Sequence, residues 1–161
     1  MQKVNNRLLC YVIAFSCMII LTSNLNAATL TIGSASGLPG KSISILINLT
    51  SAPNEKVCGF NFDLSYDAAK LSFKEVKLGS VAVDAGKSLS YSQPKPSTIR
   101  VVVVGLNQNV IGDGTVLTFT FDILNKALAG KAELTITKPS FSDPNGKPLA
   151  VNTSGGKLEV L

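Results

Sequence analysis

Histidine is absent from this sequence. With it go the commonest general base, the commonest zinc ligand and any Ser-His pairing, which removes most hydrolytic mechanisms. Tryptophan is also absent and aromatic residues make up 6% of the chain, so the exposed ring platforms on which sugars stack have little to be built from. Cysteine is scarce, with Cys10 and Cys17 in an apolar N-terminal stretch and only Cys58 beyond it, so no internal disulfide is expected there. Runs of basic residues are missing as well. The formal charge of +5 is spread over scattered lysines, which argues against nucleic acid as a partner.

The N-terminus has its own grammar. Lys3 and Arg7 precede an apolar run from Leu8 to Leu21, followed by the polar stretch Thr22 to Asn26 and the small pair Ala27-Ala28. This reads as a secretory signal peptide, residues 1–27, with cleavage after Ala27 and export to a secreted, extracellular or periplasmic location. The apolar run is shorter than the roughly 20 residues of a spanning helix, so no membrane attachment is expected once the leader is removed. Cys17 follows Ala14-Phe15-Ser16, whose aromatic residue stands where a lipidation signal requires small ones. Removal of Lys3 and Arg7 lowers the formal charge from +5 to +3. Residues 28–161 suffice for a single domain and leave no room for a second. At the head of a strand, Cys58 is expected to be a small buried apolar residue.

What is present is alternation. Phe60, Phe62, Leu64 and Tyr66 alternate with Asn61, Asp63 and Ser65, which places the first set on the core face of a strand and the second on the open face. Asp67 to Lys70 turn the chain, and Leu71 and Phe73 restart the pattern. Period-two runs predict strands at 30–33, 42–49, 57–66, 71–78, 89–92, 99–105, 116–123, 132–137 and 157–161, separated by Gly, Pro, Asn and Asp turns. One-sided alternation belongs to antiparallel sheets with a wet outer face. No sustained helical period occurs, with at most one helical turn near Asp67 or Val110. Two antiparallel sheets face to face, a β-sandwich, is the expected all-β architecture.

Several segments, in order, resemble the cohesin domain, the module that binds dockerin domains in cellulosome-type assemblies. They are Gly37-Leu38-Pro39-Gly40-Lys41 with the Ile43 to Leu49 strand; Gly59 to Asp67 with Leu71, Val76 and Gly79; Ile99 to Val104; Asp113 to Phe119; Ser142 to Gly146; and Gly155 to Leu158. The resemblance implies a nine-stranded antiparallel sandwich of jelly-roll topology and a non-catalytic, dockerin-like protein partner, in polysaccharide degradation or surface assembly. It also implies a partner-binding sheet face, here Gly59, Asn61, Asp63 and Ser65 with Arg100, Val102 and Val104 on the neighbouring strand. Dockerin-binding cohesins carry Asn and Asp two apart on the first of these strands, where this sequence has Gly59 and Asn61. Period alone leaves two readings of Val102 and Val104, an exposed docking patch or valines covered by a loop or the other sheet.

Other chemistry finds little support. Asp63, Asp67, Glu75, Asp113 and Asp122 sit on predicted strands and turns without a cleft for paired-carboxylate catalysis. No cofactor or metal is expected. Asp143-Pro144-Asn145-Gly146 resembles the start of a calcium loop, but Lys147 and Pro148 supply no later oxygen ligands, and a turn is the better reading. A carbohydrate-binding module of the same sandwich fold is the rival, with polysaccharide as ligand, but Tyr66 is assigned to the core and Tyr91 alone makes a poor platform. A structural surface subunit that associates through a strand edge is a third reading.

Overall fold

The computed structural model describes residues 27–161; residues 1–26 of the expected leader lie outside them. Twelve strands are present: β1 (Ala28–Ile32), β2 (Ala35–Gly37), β3 (Ser42–Thr50), β4 (Gly59–Tyr66), β5 (Leu71–Leu78), β6 (Ser88–Lys95), β7 (Thr98–Val104), β8 (Gly114–Ile123), β9 (Gly130–Ser142), β10 (Pro148–Leu149), β11 (Val151–Ser154) and β12 (Gly156–Val160). All nine strands expected from alternation are there, β5 with the expected ends and the other eight with shifted ones. The other three, β2, β10 and β11, have 3, 2 and 4 residues, too short to show a period.

The strands form two sheets. One runs β11-β1-β3-β8-β5, the other β2-β12-β9-β4-β7-β6, with β10 also paired to β9. Most neighbours are antiparallel, but β1 pairs with β11, and β12 with β2, in parallel, so the expectation of a wholly antiparallel sandwich needs correction. These two pairings bring both ends of the domain into the sheets, since β1 is the first strand and β12 the last.

The inward faces supply the core. Phe60, Phe62 and Leu64 on β4, Ile99, Val101 and Val103 on β7, Ile45, Ile47 and Leu49 on β3, and Phe119 and Phe121 on β8 are all at most 2% exposed. Aromatic rings bridge the sheets: Phe62 lies 6.4 Å from Phe119, and Tyr66 5.1 Å from Phe121. Burial of this kind, at about 25 cal/mol per Å² of apolar surface, is what drives the two layers together.

The one helix among the described residues, α1 (Ser80–Asp84), lies neither at Asp67 nor at Val110. Gly79 precedes it with an extended backbone, and a Cβ at that position would collide with the carbonyl oxygen of Thr115. Glycine is required there by space, and the corner lets α1 pack against β8. Asp67 instead accepts the Ala69 amide at 2.9 Å in a plain turn.

Cys58 departs from expectation too. It is only partly buried, and its Sγ lies 3.3 Å from Nζ of Lys87, which is 6% exposed and also donates to Oδ1 of Asn107 at 2.9 Å. The thiol therefore helps solvate a buried ammonium instead of filling an apolar gap. The hydrophobic neighbours in the sequence, Val57 and Phe60, gave no sign of this.

Candidate functional site

Alternation on β4 and β7 dictates what the β2-β12-β9-β4-β7-β6 sheet shows to solvent. Because Phe60, Phe62 and Leu64 point inward and pair with Val103, Val101 and Ile99, the intervening residues share the outer face. Asn61 is opposite Val102, Asp63 opposite Arg100, and Ser65 opposite Thr98. On the far side of β4, β9 places Ser140 beside Asn61 and Thr137 beside Asp63; beyond β7, β6 places Ser90 beside Val102 and Ser92 beside Arg100. With about 3.3 Å per residue and about 4.8 Å between strands, four strands make a platform roughly 15–20 Å on each side.

The seven sequence-predicted residues come together here, in different roles. Asn61 and Arg100 are exposed, and Ser65 and Val102 partly so. Val104 is 51% exposed and Val102 partly so, and neither a loop nor the other sheet covers Val104. Gly59 is buried; a Cβ there would sit 3.3 Å from a Val104 methyl, so its bareness lets Val104 lean across the strand. Leu106, two residues beyond Val104 and past the end of β7, is fully exposed.

Asp63 is the main departure. It lies on the outer face yet is 5% exposed, because Arg100 lies across it with Nε to Oδ1 at 2.7 Å and Nη2 to Oδ2 at 2.8 Å. Lys138 Nζ stands 3.9 Å from Oδ2. The Arg100 hydrogen bonds hold the Asp63 carboxyl below the usual carboxylate range, against burial, which pushes the other way. The same pairing raises Arg100. The outer face thus presents a guanidinium anchored by a carboxylate, not a free acid. Thr137, Lys138 and Pro94 join Asp63, Ser65, Lys95, Thr98 and Arg100 around a shallow depression of about 240 Å³.

The contribution of β9 was missed in the sequence because Lys138-Pro139 breaks the alternation after Thr137. In the fold the strand bulges there, opposite Asn61 to Asp63, with Lys138 at φ 51°, and then continues to Ser142. A proline flanked by an alternating apolar residue, Phe141, was the available signal.

Four other carboxylates serve structural ends. Asp113 accepts the Ser51 amide at 2.8 Å, Asp122 takes the Ser42 hydroxyl and faces Lys74 at 3.6 Å, and Glu75 pairs with Lys77 at 2.9 Å. Asp143 accepts the amides of Asn145 and Lys147, both at 2.8 Å, closing its own turn. Neither Tyr66 nor Tyr91 reaches the outer face. Tyr66 is 8% exposed and donates to the Pro96 carbonyl at 2.7 Å, while Tyr91 pairs with inward Val101 and sets its ring edge-on to Phe73 at 5.8 Å.

Comparison with known proteins matches these observations. A sequence model described as the cohesin domain matches residues 28–160. Among curated proteins, cellulosomal-scaffolding protein A of Acetivibrio thermocellus is 35% identical over 66 residues, which are 41% of this chain and 4% of that much longer protein. Among solved structures, the sixth cohesin of scaffoldin B from Acetivibrio cellulolyticus, determined in complex with a dockerin, superposes with a TM-score of 0.76 at 22% identity, covering 84% of this chain and 99% of that one. A non-cellulosomal cohesin from the archaeon Archaeoglobus fulgidus gives 0.72 at 24% identity, covering 84% and 91%.

Proposed function

Since the chain belongs to the cohesin domain family, we propose that it is an exported, non-catalytic module that binds a dockerin or dockerin-like protein through the outer face of the β2-β12-β9-β4-β7-β6 sheet. The observation that carries this reading is the uncovered platform on β4 and β7, with Val104 51% exposed beside Asn61, Val102 and the anchored Arg100. An apolar line flanked by polar groups is the usual composition of a protein interface, with affinity supplied at the centre and selectivity at the rim. At roughly 15–20 Å on a side the platform covers about 225–400 Å² in projection, so an interface of standard size, about 800 Å² per partner, also takes in the rim residues around it.

Gly59, Asn61, Asp63, Ser65, Arg100, Val102 and Val104 form this site, but not as equals. Asn61, Ser65, Arg100, Val102 and Val104 touch the partner; Gly59 and Asp63 hold Val104 and Arg100 in place. Lys95, Arg100 and Lys138 around the depression select a dockerin surface that offers carboxylates or hydroxyl oxygens. Residues 1–27 serve as the leader that exports the domain 28–161, whose chain passes between the sheets in jelly-roll fashion, and the role follows in a cellulosome-like or other surface assembly that degrades polysaccharide.

Titration calorimetry against a panel of purified dockerin modules tests the reading. Saturable one-to-one binding to at least one of them is expected. Binding to none of them, with binding instead to cellulose, chitin or xylan, would transfer the function to the carbohydrate-binding alternative.

A further inference from the structure

The start of β1 is built in an unusual way. The backbone nitrogen of Ala28 lies 3.0 Å from Oε2 of Glu55 and 3.2 Å from the carbonyl oxygen of Ala150. An amide inside a continuous chain has one N–H, and the parallel pairing with β11 already supplies its acceptor. Glu55 comes from the loop between β3 and β4, 27 residues away, and brings a full negative charge to a group that needs none. An α-ammonium has three hydrogens and a positive charge, and would use both acceptors with one donor left for water.

Ala28 and Leu30 are fully buried and β1 is an inner strand between β3 and β11, so the domain cannot begin later without losing core. The small pair Ala27-Ala28 marks the same position in the sequence. We infer that cleavage between Ala27 and Ala28 does more than release the leader: it creates an α-ammonium on Ala28 that locks onto Glu55. This inference rests on the reading of residues 1–27 as a leader. Cleavage is an ordinary hydrolysis: water adds across the peptide bond, Ala27 leaves as a carboxylate and Ala28 as an amine that takes up a proton. Glu55 shares its cleft with Lys56, Asp143 and Lys147, so it is one charge among two cations and a second anion.

The sign of the pH dependence follows. An α-amino group ionises near pH 7.7–8.0 when unfolded, and pairing with Glu55 raises that value in the folded state. The stabilisation is complete below about pH 7.7 and disappears as pH rises through the raised folded value.

Two measurements test the inference separately. The full-length chain is expressed in an exporting bacterial host, and intact mass with N-terminal sequencing is expected to give Ala28 as first residue; any other first residue overturns the processing site. Independently, Glu55→Gln is compared with the native residue in chains released by a site-specific protease at Ala28 or at Asn26. In the chain that starts at Ala28, the substitution is expected to lower the folding equilibrium constant roughly three- to ten-fold at pH 6.5 and clearly less at pH 9.5. In the chain that starts at Asn26, position 28 keeps an amide and the pH-dependent part is expected to vanish. Equal effects in both chains, or no effect in either, overturn the ion pair even if the first residue is Ala28.

Discussion

Asn61 and Phe62 are neighbours on β4 that face opposite ways, and substituting them one at a time separates the core from the platform. Phe62 is 1% exposed, 6.1 Å from Phe60 and 6.4 Å from Phe119 at the junction of the two sheets. Phe62→Ala removes the ring and leaves a cavity that the packed side chains of the two sheets cannot close, a loss of about 4 kcal/mol. Small domains retain about 5–15 kcal/mol in total, so the variant is folded but fragile. With an unfolding entropy of about 2.1 cal/mol/K per residue over about 135 residues, the melting temperature falls by about 14 °C. Asn61→Arg puts a long charged side chain on an exposed position beside Val102 and Ser140 and is expected to change stability by no more than about 0.5 kcal/mol. Urea unfolding of both variants, with the slope checked for constancy, measures the difference. A loss of about 2 kcal/mol or more for Asn61→Arg, or of less than about 1 kcal/mol for Phe62→Ala, would refute the assignment of faces.

Gly79→Ala forces a methyl into the Thr115 carbonyl and is expected to cost about 3 kcal/mol, read as a lower urea midpoint; an unchanged midpoint would mean that the corner before α1 is not tight. Asp63 is held below the usual carboxylate range by Arg100, so its contribution to stability is present above about pH 4 and is lost as pH falls through the depressed folded value. The stability gap between native protein and Asp63→Asn should therefore narrow between pH 6 and pH 2.5, and a constant gap would contradict the pairing. Reversing the charges of Lys95 and Lys138 is expected to slow dockerin association about ten-fold at low salt and much less at high salt, measured by stopped flow. An equal slowing at all ionic strengths would remove steering as the cause.

The sandwich and its inner and outer faces were legible because period-two alternation is a local property, as in Phe60-Asn61-Phe62-Asp63-Leu64. What escaped depends on contacts distant in sequence or on segments too short to have a period. The lock between Asp63 and Arg100 joins residues 37 apart, and nothing local distinguishes a free aspartate from a clamped one. Pro139 hid the second half of β9, since a proline ends most strands but is admitted at a bulge. The run Ser-Val-Ala-Val-Asp of α1 is β-branched at alternate positions and favours a strand; the tertiary corner at Gly79 overrides that preference. Lys87 and Cys58 show the same limit, for the partner that makes a thiol polar lies 29 residues away.

The most direct test is dockerin affinity after matched substitutions on the two sheets. Asn61→Arg with Val102→Glu alters the β4 and β7 face, while Leu46→Arg alters the opposite sheet, where Leu46 is 44% exposed. By calorimetry the first variant should bind at least about 30-fold more weakly than the native protein, with unchanged melting temperature, and the second should bind as the native protein does. Unimpaired binding by the first variant, or loss of binding only in the second, would place the partner on the other side of the sandwich.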